Sequence, residues 1–211
     1  MAIHKKLEEY ISALKDINIS EERKTLLFPL VNYIIQKQAL LEPISLHFIC
    51  THNSRRSHFA QVWTQTFSYY FDIKDLYCYS GGTEATSVYP KVITTLLKAG
   101  FEAIALSEKS NPVWSIIGER NKPPIIGFSK RWNHPFNPES HFAAILTCSR
   151  ADKECPHING AEQRIVLPFE DPKTHDNSPN QDEKYAMTCR QIAGELFFVF
   201  EQLYLKKVQL N

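Results

Sequence analysis

Short apolar runs with strand character alternate along this chain with amphipathic helical patterns, and this alternation restricts its fold more than any other feature. A strand that is followed by a helix and then by another strand packs into a parallel sheet with helices on both faces. The sequence therefore predicts an α/β fold. Its predicted strands are 44–49, 76–80, 141–148 and 164–169, and its predicted helical regions are 5–41, 59–71, 90–100 and 183–206.

The helical region before the first strand is predicted to be an extension of the main unit. Ser20 precedes Glu21 as a candidate helix N-cap, and Pro43 ends the region. We therefore divide the chain into an N-terminal helical extension, 1–43, and a domain, 44–211. Within the domain, the apolar runs 101–107 and 123–129 are predicted to pair as a hairpin, and the polar segment 171–182 is predicted to be a loop.

Composition and motif searches exclude several functional classes. Lysine and arginine number 24 against 23 acidic residues, and this balance argues against a nucleic-acid surface. No Gly-rich dinucleotide or Walker motif occurs, and no apolar run approaches the length of a membrane span. The charged start, MAIHKKLEEY, does not resemble a signal peptide, and the cysteine count of five is odd, so we expect a cytoplasmic protein with reduced thiols.

The strongest chemical signal is a Cys-x5-Arg motif between the first strand and the next helix. A short loop at a helix N-terminus can direct successive backbone N–H groups at one anion, and the same field favours a thiolate. Cys50 is the candidate nucleophile, and the planar fork of Arg56 suits two oxyanion oxygens. Ser57 is expected to donate to the sulfur and Asn53 to brace the loop. The predicted oxyanion-binding residues are Thr51, His52, Asn53, Ser54, Arg55, Arg56 and Ser57, with the Arg55 side chain expected to point outward.

Asp171 is the candidate general acid for the leaving oxygen, because it follows the last predicted strand at the edge where α/β sheets keep their sites. The alternative is a turn-forming Asp-Pro. Cys148 and Cys155 form a second cysteine pair, separated by six mostly polar residues that are predicted to form a loop. A zinc site would need four clustered ligands, and His157 is the only obvious addition, so no metal is predicted. A buried inert pair and a mobile reactive pair both remain open.

Together, Cys50-x5-Arg56-Ser57, the Asp171-Pro172 pair and the Ser-Gly-Gly-Thr turn at 80–83 resemble the low-molecular-weight tyrosine phosphatase superfamily over about 44–205. The segment TCSRADKECP is similar to the redox segment of thioredoxin-coupled arsenate reductases. The resemblance implies a three-layer, flavodoxin-like catalytic domain at 44–211 with a four-stranded, mainly parallel sheet. It also implies that oxidation passes from Cys50 to Cys148 and then to Cys155, with a thioredoxin-like protein as reductant and no cofactor.

Some residues depart from the pattern of the superfamily. Lys173, Thr174 and His175 stand where phosphatases usually have adjacent tyrosines after the Asp-Pro, which favours a small oxyanion over a phosphotyrosyl protein. His52 replaces a usual Gly and is expected to tolerate positive φ. Arg55 replaces a usual Cys.

Two further functions remain as alternatives to an arsenate reductase. One is a phosphatase that hydrolyses phosphomonoesters through a phosphocysteine, with phosphotyrosyl substrates included. The other is a non-catalytic, anion-sensing regulatory protein that uses the N-terminal helices to contact a partner. The remaining candidates are predicted to be structural: His47, His58, Cys78, Cys189, Trp114 and Trp132.

Overall fold

The central sheet of the protein has four parallel strands in the order β2-β1-β6-β7. These strands are β1 (Ile44–Cys50), β2 (Leu76–Gly82), β6 (Phe142–Leu146) and β7 (Ala161–Val166). The structure is a computed structural model, and it describes residues 5–154 and 157–209. The predicted three-layer α/β class is thereby confirmed. The last strand begins and ends earlier than predicted, because residues 167–169 leave the strand pairing. They still donate backbone hydrogen bonds to β6 and to the residue after it.

The helices cover both faces of this sheet. Alternate side chains of β1 and β6 enter two apolar clusters, as the two-residue repeat of a strand requires. The larger cluster lies against most of the helices, and the smaller contains Ile49, Cys50, Cys148 and Ala151. The helices are α1 (Lys5–Ser12), α2 (Glu21–Ala39), α3 (Arg56–Tyr70), α4 (Pro90–Ala99), α5 (Ser149–Glu154) and α6 (Gln181–Gln209), with a 3₁₀ helix at Pro172–His175.

The N-terminal residues form two helices, α1 and α2, where the sequence predicted one helical region. Ser20 starts α2 as predicted, and its hydroxyl accepts a hydrogen bond from the backbone N–H of Arg23 at 3.3 Å. Leu7 and Ile11 of α1 and Leu27 and Leu30 of α2 are buried in the larger cluster beside side chains of α3 and α6. The division at residue 43 remains a proposal.

The predicted hairpin between 101–107 and 123–129 is wrong. A third strand lies between them, so the order in this small antiparallel sheet is β3 (Glu102–Ala105), β4 (Trp114–Ile117) and β5 (Ile125–Gly127). The middle strand β4 has only four residues, and its two central residues, Ser115 and Ile116, are buried.

The polar segment after Cys148 is also different from the prediction, since residues 149–154 form the short helix α5 and not a loop. In the part of the chain that the structure describes, no helix has the length and apolar character needed to cross a lipid bilayer.

Candidate active site

The loop from Cys50 to Arg55 joins the end of β1 to the start of α3 and is held by its carbonyl groups. The carbonyl of Cys50 accepts from the N–H of Thr83, that of Thr51 from the N–H of Glu84, and that of Ser54 from the N–H of Tyr89, at 2.8–3.2 Å. The His52 carbonyl accepts from two hydroxyls, those of Thr86 and Ser129.

The backbone N–H groups of the loop, in contrast to its carbonyl groups, are not bonded to the part of the surrounding chain that the structure describes. No N–H group of residues 51–55 has a hydrogen-bond partner within the described ranges 5–154 and 157–209. The bonded carbonyl groups hold the loop in place, and its free N–H groups lie at the N-terminus of a helix. Such an arrangement of N–H groups forms a cradle for an anion. The loop therefore has the geometry that an oxyanion site requires, and its use as such a site stays a prediction.

Cys50 lies at the base of this loop, where its sulfur is 3.1 Å from the Ser57 hydroxyl. Asn53 donates from its amide nitrogen to the same hydroxyl oxygen at 2.9 Å, which leaves the Ser57 hydrogen free to point at the sulfur. The Asn53 side-chain oxygen accepts from the backbone N–H of Lys130 at 2.9 Å. Both contacts expected of Ser57 and Asn53 are therefore present, and they orient a donor toward the nucleophile.

The residue with positive φ in this loop is Asn53, at 44°, and not His52. Asparagine is among the residues that adopt the left-handed region most readily. His52 keeps an ordinary backbone conformation, and its ring lies 3.6 Å from the Glu84 carboxylate. A glycine is therefore not needed at position 52, and the expectation of positive φ there is wrong.

Arg56, the first residue of α3, connects the loop to the segment that carries Asp171. Its guanidinium donates to the carbonyl of Phe169 at 3.0 Å and to the Asp171 carboxylate at 2.5 Å. The Nε–H group of Arg56 is buried and has no partner in the described part of the chain. A buried donor without an acceptor is costly, so a ligand oxygen at this position would stabilise the side chain.

The candidate nucleophile and the candidate general acid share one small depression with the loop. Cys50, His52, Ser54, Arg55, Arg56 and Asp171 line it, and its free volume of about 10 Å³ accommodates roughly one water. A tetrahedral oxyanion is larger, so its entry requires the Asp171 carboxylate to move away from Arg56.

The prediction that Arg55 points outward is wrong. Its guanidinium is buried against the Tyr89 ring, 4.2 Å from the ring centroid, and donates to the Tyr185 hydroxyl and the Asp176 carboxylate at 2.5 Å each. Tyr185 in turn donates to Asp176 at 2.6 Å, and burial with this carboxylate raises the pKa of Tyr185, so the hydroxyl stays protonated. Arg55 therefore fixes the loop to α6 and the 3₁₀ helix, and its charge is already compensated by Asp176.

Cys148 lies against the loop, two residues after β6 ends. Its buried sulfur is 3.5 Å from the Thr51 hydroxyl and accepts a hydrogen bond from the backbone N–H of Ala151, in the first turn of α5. Cys50 and Cys148 thus belong to the same buried cluster. Cys155 lies outside the described residues. The other two cysteines are packing residues, as predicted: burial raises the pKa of Cys78 well above its ordinary value and that of Cys189 to about 12.

A buried lysine, Lys130, lies behind the loop in the segment between β5 and β6. Its ammonium is 3.5 Å from the Ser80 hydroxyl and 4.4 Å from the centroid of the Phe128 ring, and burial lowers its pKa to about 7. His47 and His58 are nearby, and burial, together with this lysine, lowers the pKa of each to about 3. His58 is therefore neutral and donates from Nε2 to the Asn53 carbonyl at 2.9 Å, a structural role of the kind predicted.

Sequence reasoning missed several residues that hold the site: Thr86, Ser129, Lys130, Asp176 and Tyr185. All lie far from the loop in the chain, and none belongs to a motif. Trp114 and Trp132 make the predicted hydrophobic contacts, Trp114 against the larger cluster and Trp132 against the smaller one. Among residues 5–154 and 157–209, no group of His, Cys, Asp and Glu side chains could hold a metal ion.

Comparison with known proteins finds relatives of two kinds. Arsenate reductase 2 of Staphylococcus epidermidis is 29% identical over 129 residues, which cover 61% of this chain and 78% of the relative. A low-molecular-weight protein tyrosine phosphatase from T. tengcongensis is 17% identical and superimposes with a TM-score of 0.52 over 75% of this chain and 99% of its own. An arginine phosphatase from Geobacillus stearothermophilus is 14% identical, with a TM-score of 0.52 over 80% and 98%. No protein-family model matches.

These comparisons confirm the resemblance to the low-molecular-weight phosphatase superfamily and to its arsenate reductase branch. At such low identities the structural matches establish the shared fold, and the sequence match points to the branch. Both kinds of relative are enzymes, as predicted for this chain. The comparisons support the coarser functional prediction, a cysteine-dependent phosphatase or reductase that handles a small oxyanion.

Proposed function

We propose that the chain is an arsenate reductase that uses a relay of three thiols, Cys50, Cys148 and Cys155. The observation that carries the proposal is the position of Cys148, whose sulfur lies 3.5 Å from the hydroxyl of Thr51, the residue next to Cys50. Hydrolysis of a phosphocysteine needs no second thiol, because water completes that cycle, whereas reduction of arsenate needs a thiol that supplies electrons. The sequence match to proteins named arsenate reductase supports the same assignment.

The first step is attack of the Cys50 thiolate on arsenate. A sulfur–arsenic bond forms, and one arsenate hydroxyl group takes a proton from Asp171 and leaves as water. The loop N–H groups and the Nε–H group of Arg56 hold the remaining oxygens. Asp171 accepts from Arg56, and it is placed to act as the acid once the anion has taken its position beside that guanidinium.

The second step reduces the arsenic. Cys148 attacks the Cys50 sulfur, a Cys50–Cys148 disulfide forms, and the electron pair of the sulfur–arsenic bond stays with arsenic, which leaves as arsenite. Cys155 then attacks Cys148, which frees Cys50 and forms a Cys148–Cys155 disulfide. A dithiol protein of the thioredoxin kind, in a reducing cytoplasm, supplies the two electrons that reopen this bridge.

The test compares arsenate turnover with thioredoxin to hydrolysis of an aryl phosphate by the same variants. Cys148→Ser and Cys155→Ser are each expected to abolish arsenate turnover and to leave ester hydrolysis nearly unchanged. Cys189→Ser is the matched control, because this thiol is buried on α6 and accepts from Trp63, away from the loop. Peptide mapping of Cys155→Ser after arsenate should find Cys50 linked to Cys148. Near wild-type arsenate turnover by both relay variants would refute the proposal.

A second candidate is a phosphomonoesterase that uses the same loop, and one observation favours it. A cavity of about 500 Å³ borders Asp171 and is lined by Glu170, His175, Lys184, Met187 and Gln191, among others. Arsenate does not need such space, whereas the organic part of a phosphate ester does. Ester hydrolysis without arsenate turnover in the wild-type protein would favour this candidate.

A further inference from the structure

Arg23 on α2 reaches across the molecule to the segment that leads into Asp171. Its guanidinium donates to the carbonyl of Pro168 at 3.0 Å and lies 5.1 Å from the centroid of the Phe169 ring. The same guanidinium forms an ion pair with Glu195 on α6, with Nε 3.1 Å from each carboxylate oxygen. The Glu195 side chain is only 5% exposed, so this pair is largely shielded from solvent.

The segment 167–171 is held from two sides. On one side, the N–H groups of Leu167 and Phe169 donate to the carbonyls of Leu146 and Thr147, at and just beyond the end of β6, at 2.9 and 3.1 Å. On the other side, two successive carbonyls accept from arginines, that of Pro168 from Arg23 and that of Phe169 from Arg56. Arg23 is therefore part of the support of the segment from which Asp171 projects.

The ion pair fixes Arg23 more firmly than a surface contact would. Glu195 also accepts from the Gln191 side chain at 3.0 Å, so its carboxylate cannot rotate freely. An arginine whose Nε and Nη2 are held in this way presents its third nitrogen, Nη1, in one direction. This nitrogen points at the carbonyl oxygen of Pro168, which lies three residues before Asp171.

We propose that Arg23, held by Glu195, is a positioning residue for the general acid, so that the N-terminal helix α2 takes part in setting the active-site geometry. The proposal rests on the proposed role of Asp171 as the acid. A small displacement of a reacting group is costly, since a shift of about 1 Å can reduce a rate by about 10²-fold. Loss of the Arg23 contact is therefore expected to impair proton transfer and to leave the loop itself intact.

The experiment measures the hydrolysis of aryl phosphates across a series of leaving groups. Arg23→Met is expected to reduce kcat by about tenfold for esters with poor leaving groups and less than twofold for nitrophenyl esters, because good leaving groups need little protonation. Arg23→Lys should recover part of the loss. In an Asp171→Asn background, Arg23→Met should have no further effect, because the contribution of Arg23 passes through the acid. Arg190→Met is the matched control: Arg190 also joins α6 to the N-terminal region, through the carbonyl of Ala13, but is exposed.

A second measurement is independent of activity. Hydrogen exchange at residues 167–171 should be faster in Arg23→Met than in the wild type, whereas exchange at 51–55 should be unchanged. Unaltered exchange at 167–171, or an equal rate loss for all leaving groups, would overturn the proposal. If Asp171→Asn shows no dependence on the leaving group, the role of Asp171 as acid fails, and the exchange data alone decide whether Arg23 holds the segment.

Discussion

At the scale of single residues, the adjacent arginines Arg55 and Arg56 have different roles. Arg56 faces the loop and keeps a buried donor without a partner, whereas Arg55 is bound to Asp176, Tyr185 and the Tyr89 ring. One side chain is therefore available to a substrate, and the other ties the loop to the rest of the domain.

Substitutions of Arg56 should therefore affect activity, whereas substitution of Arg55 should affect mainly stability. Arg56→Lys and Arg56→Ala should both reduce kcat/KM for an aryl phosphate by about 10²–10³-fold, since a point charge cannot replace a planar fork. Arg55→Ala should retain most of the kcat but lower the free energy of unfolding by about 3 kcal/mol, because Asp176 loses the partner of a buried ion pair. Urea denaturation and steady-state kinetics of the same samples test this. Equal losses of activity at the two positions would contradict it.

At the scale of elements, the end of β2 supports the loop by direct backbone approach. Gly82 pairs with Cys50 in the parallel register, and a Cβ atom at this position would lie 2.6 Å from the Thr51 carbonyl oxygen and 2.7 Å from the Asn53 nitrogen. Only a residue without a side chain allows the strand and the loop to pack this closely.

Gly82→Ala is accordingly expected to displace the loop. We predict a loss of about 1–3 kcal/mol in the free energy of unfolding, as for other overpacked sites, together with a large fall in kcat. Protection of Cys50 by phosphate against iodoacetamide should also weaken. Gly127→Ala in β5 is the control, because its Cβ would meet nothing closer than Ile116 at 3.5 Å. Wild-type protection in Gly82→Ala would show that the loop tolerates the side chain.

Elements with strong local patterns were predictable, and contacts between distant segments were not. The periodicity of Phe59, Trp63 and Phe67 identified α3, and Cys50 with Arg56 identified the loop, because these signals lie within a few residues of each other. The strand β4 was missed although its neighbours β3 and β5 are no longer than it is, because its place in the sheet is set by pairing with both of them and not by a pattern of its own. The burial of Arg55 could not be predicted, since its partners Asp176 and Tyr185 lie about 120 residues or more along the chain.

At the scale of the whole molecule, the larger core joins the first and last helices. Side chains of α1 and α2 are buried beside α3 and α6, and the Arg23–Glu195 pair links residues that are 172 positions apart. The stability of the core therefore depends on segments from both ends of the described chain. It also depends on the charge of Lys130, which is 1% exposed.

Lys130 makes stability dependent on pH in a predictable direction. Burial lowers its pKa in the folded protein to about 7, well below the ordinary value of 10.5. Between these values the unfolded chain binds one more proton, so the free energy of unfolding rises with pH. His47 and His58 are neutral in the folded protein, and in the unfolded chain they lose most of their charge by about pH 7.5, so their contribution fades at the lower end of this range.

The measurement is the difference in unfolding free energy between the wild type and Lys130→Met. This difference should shift in favour of the wild type by about 1.5 kcal/mol between pH 7 and pH 8.5. Taking the difference cancels the thiols Cys78 and Cys189, whose raised pKa values act in the opposite direction near pH 9. A difference that does not vary with pH would show that the ammonium has an ordinary pKa.

The link between α2 and α6 has a consequence for the order in which the protein is made. A ribosome releases Arg23 long before Glu195, and domains generally fold as units once their residues are available. While synthesis continues, the buried face of α2 has no permanent partner, and its exposed apolar side chains are a target for chaperones. The support of Asp171 can be completed only after residue 195 has been added, so the nascent chain cannot catalyse the proposed reaction at its full rate before that point of synthesis.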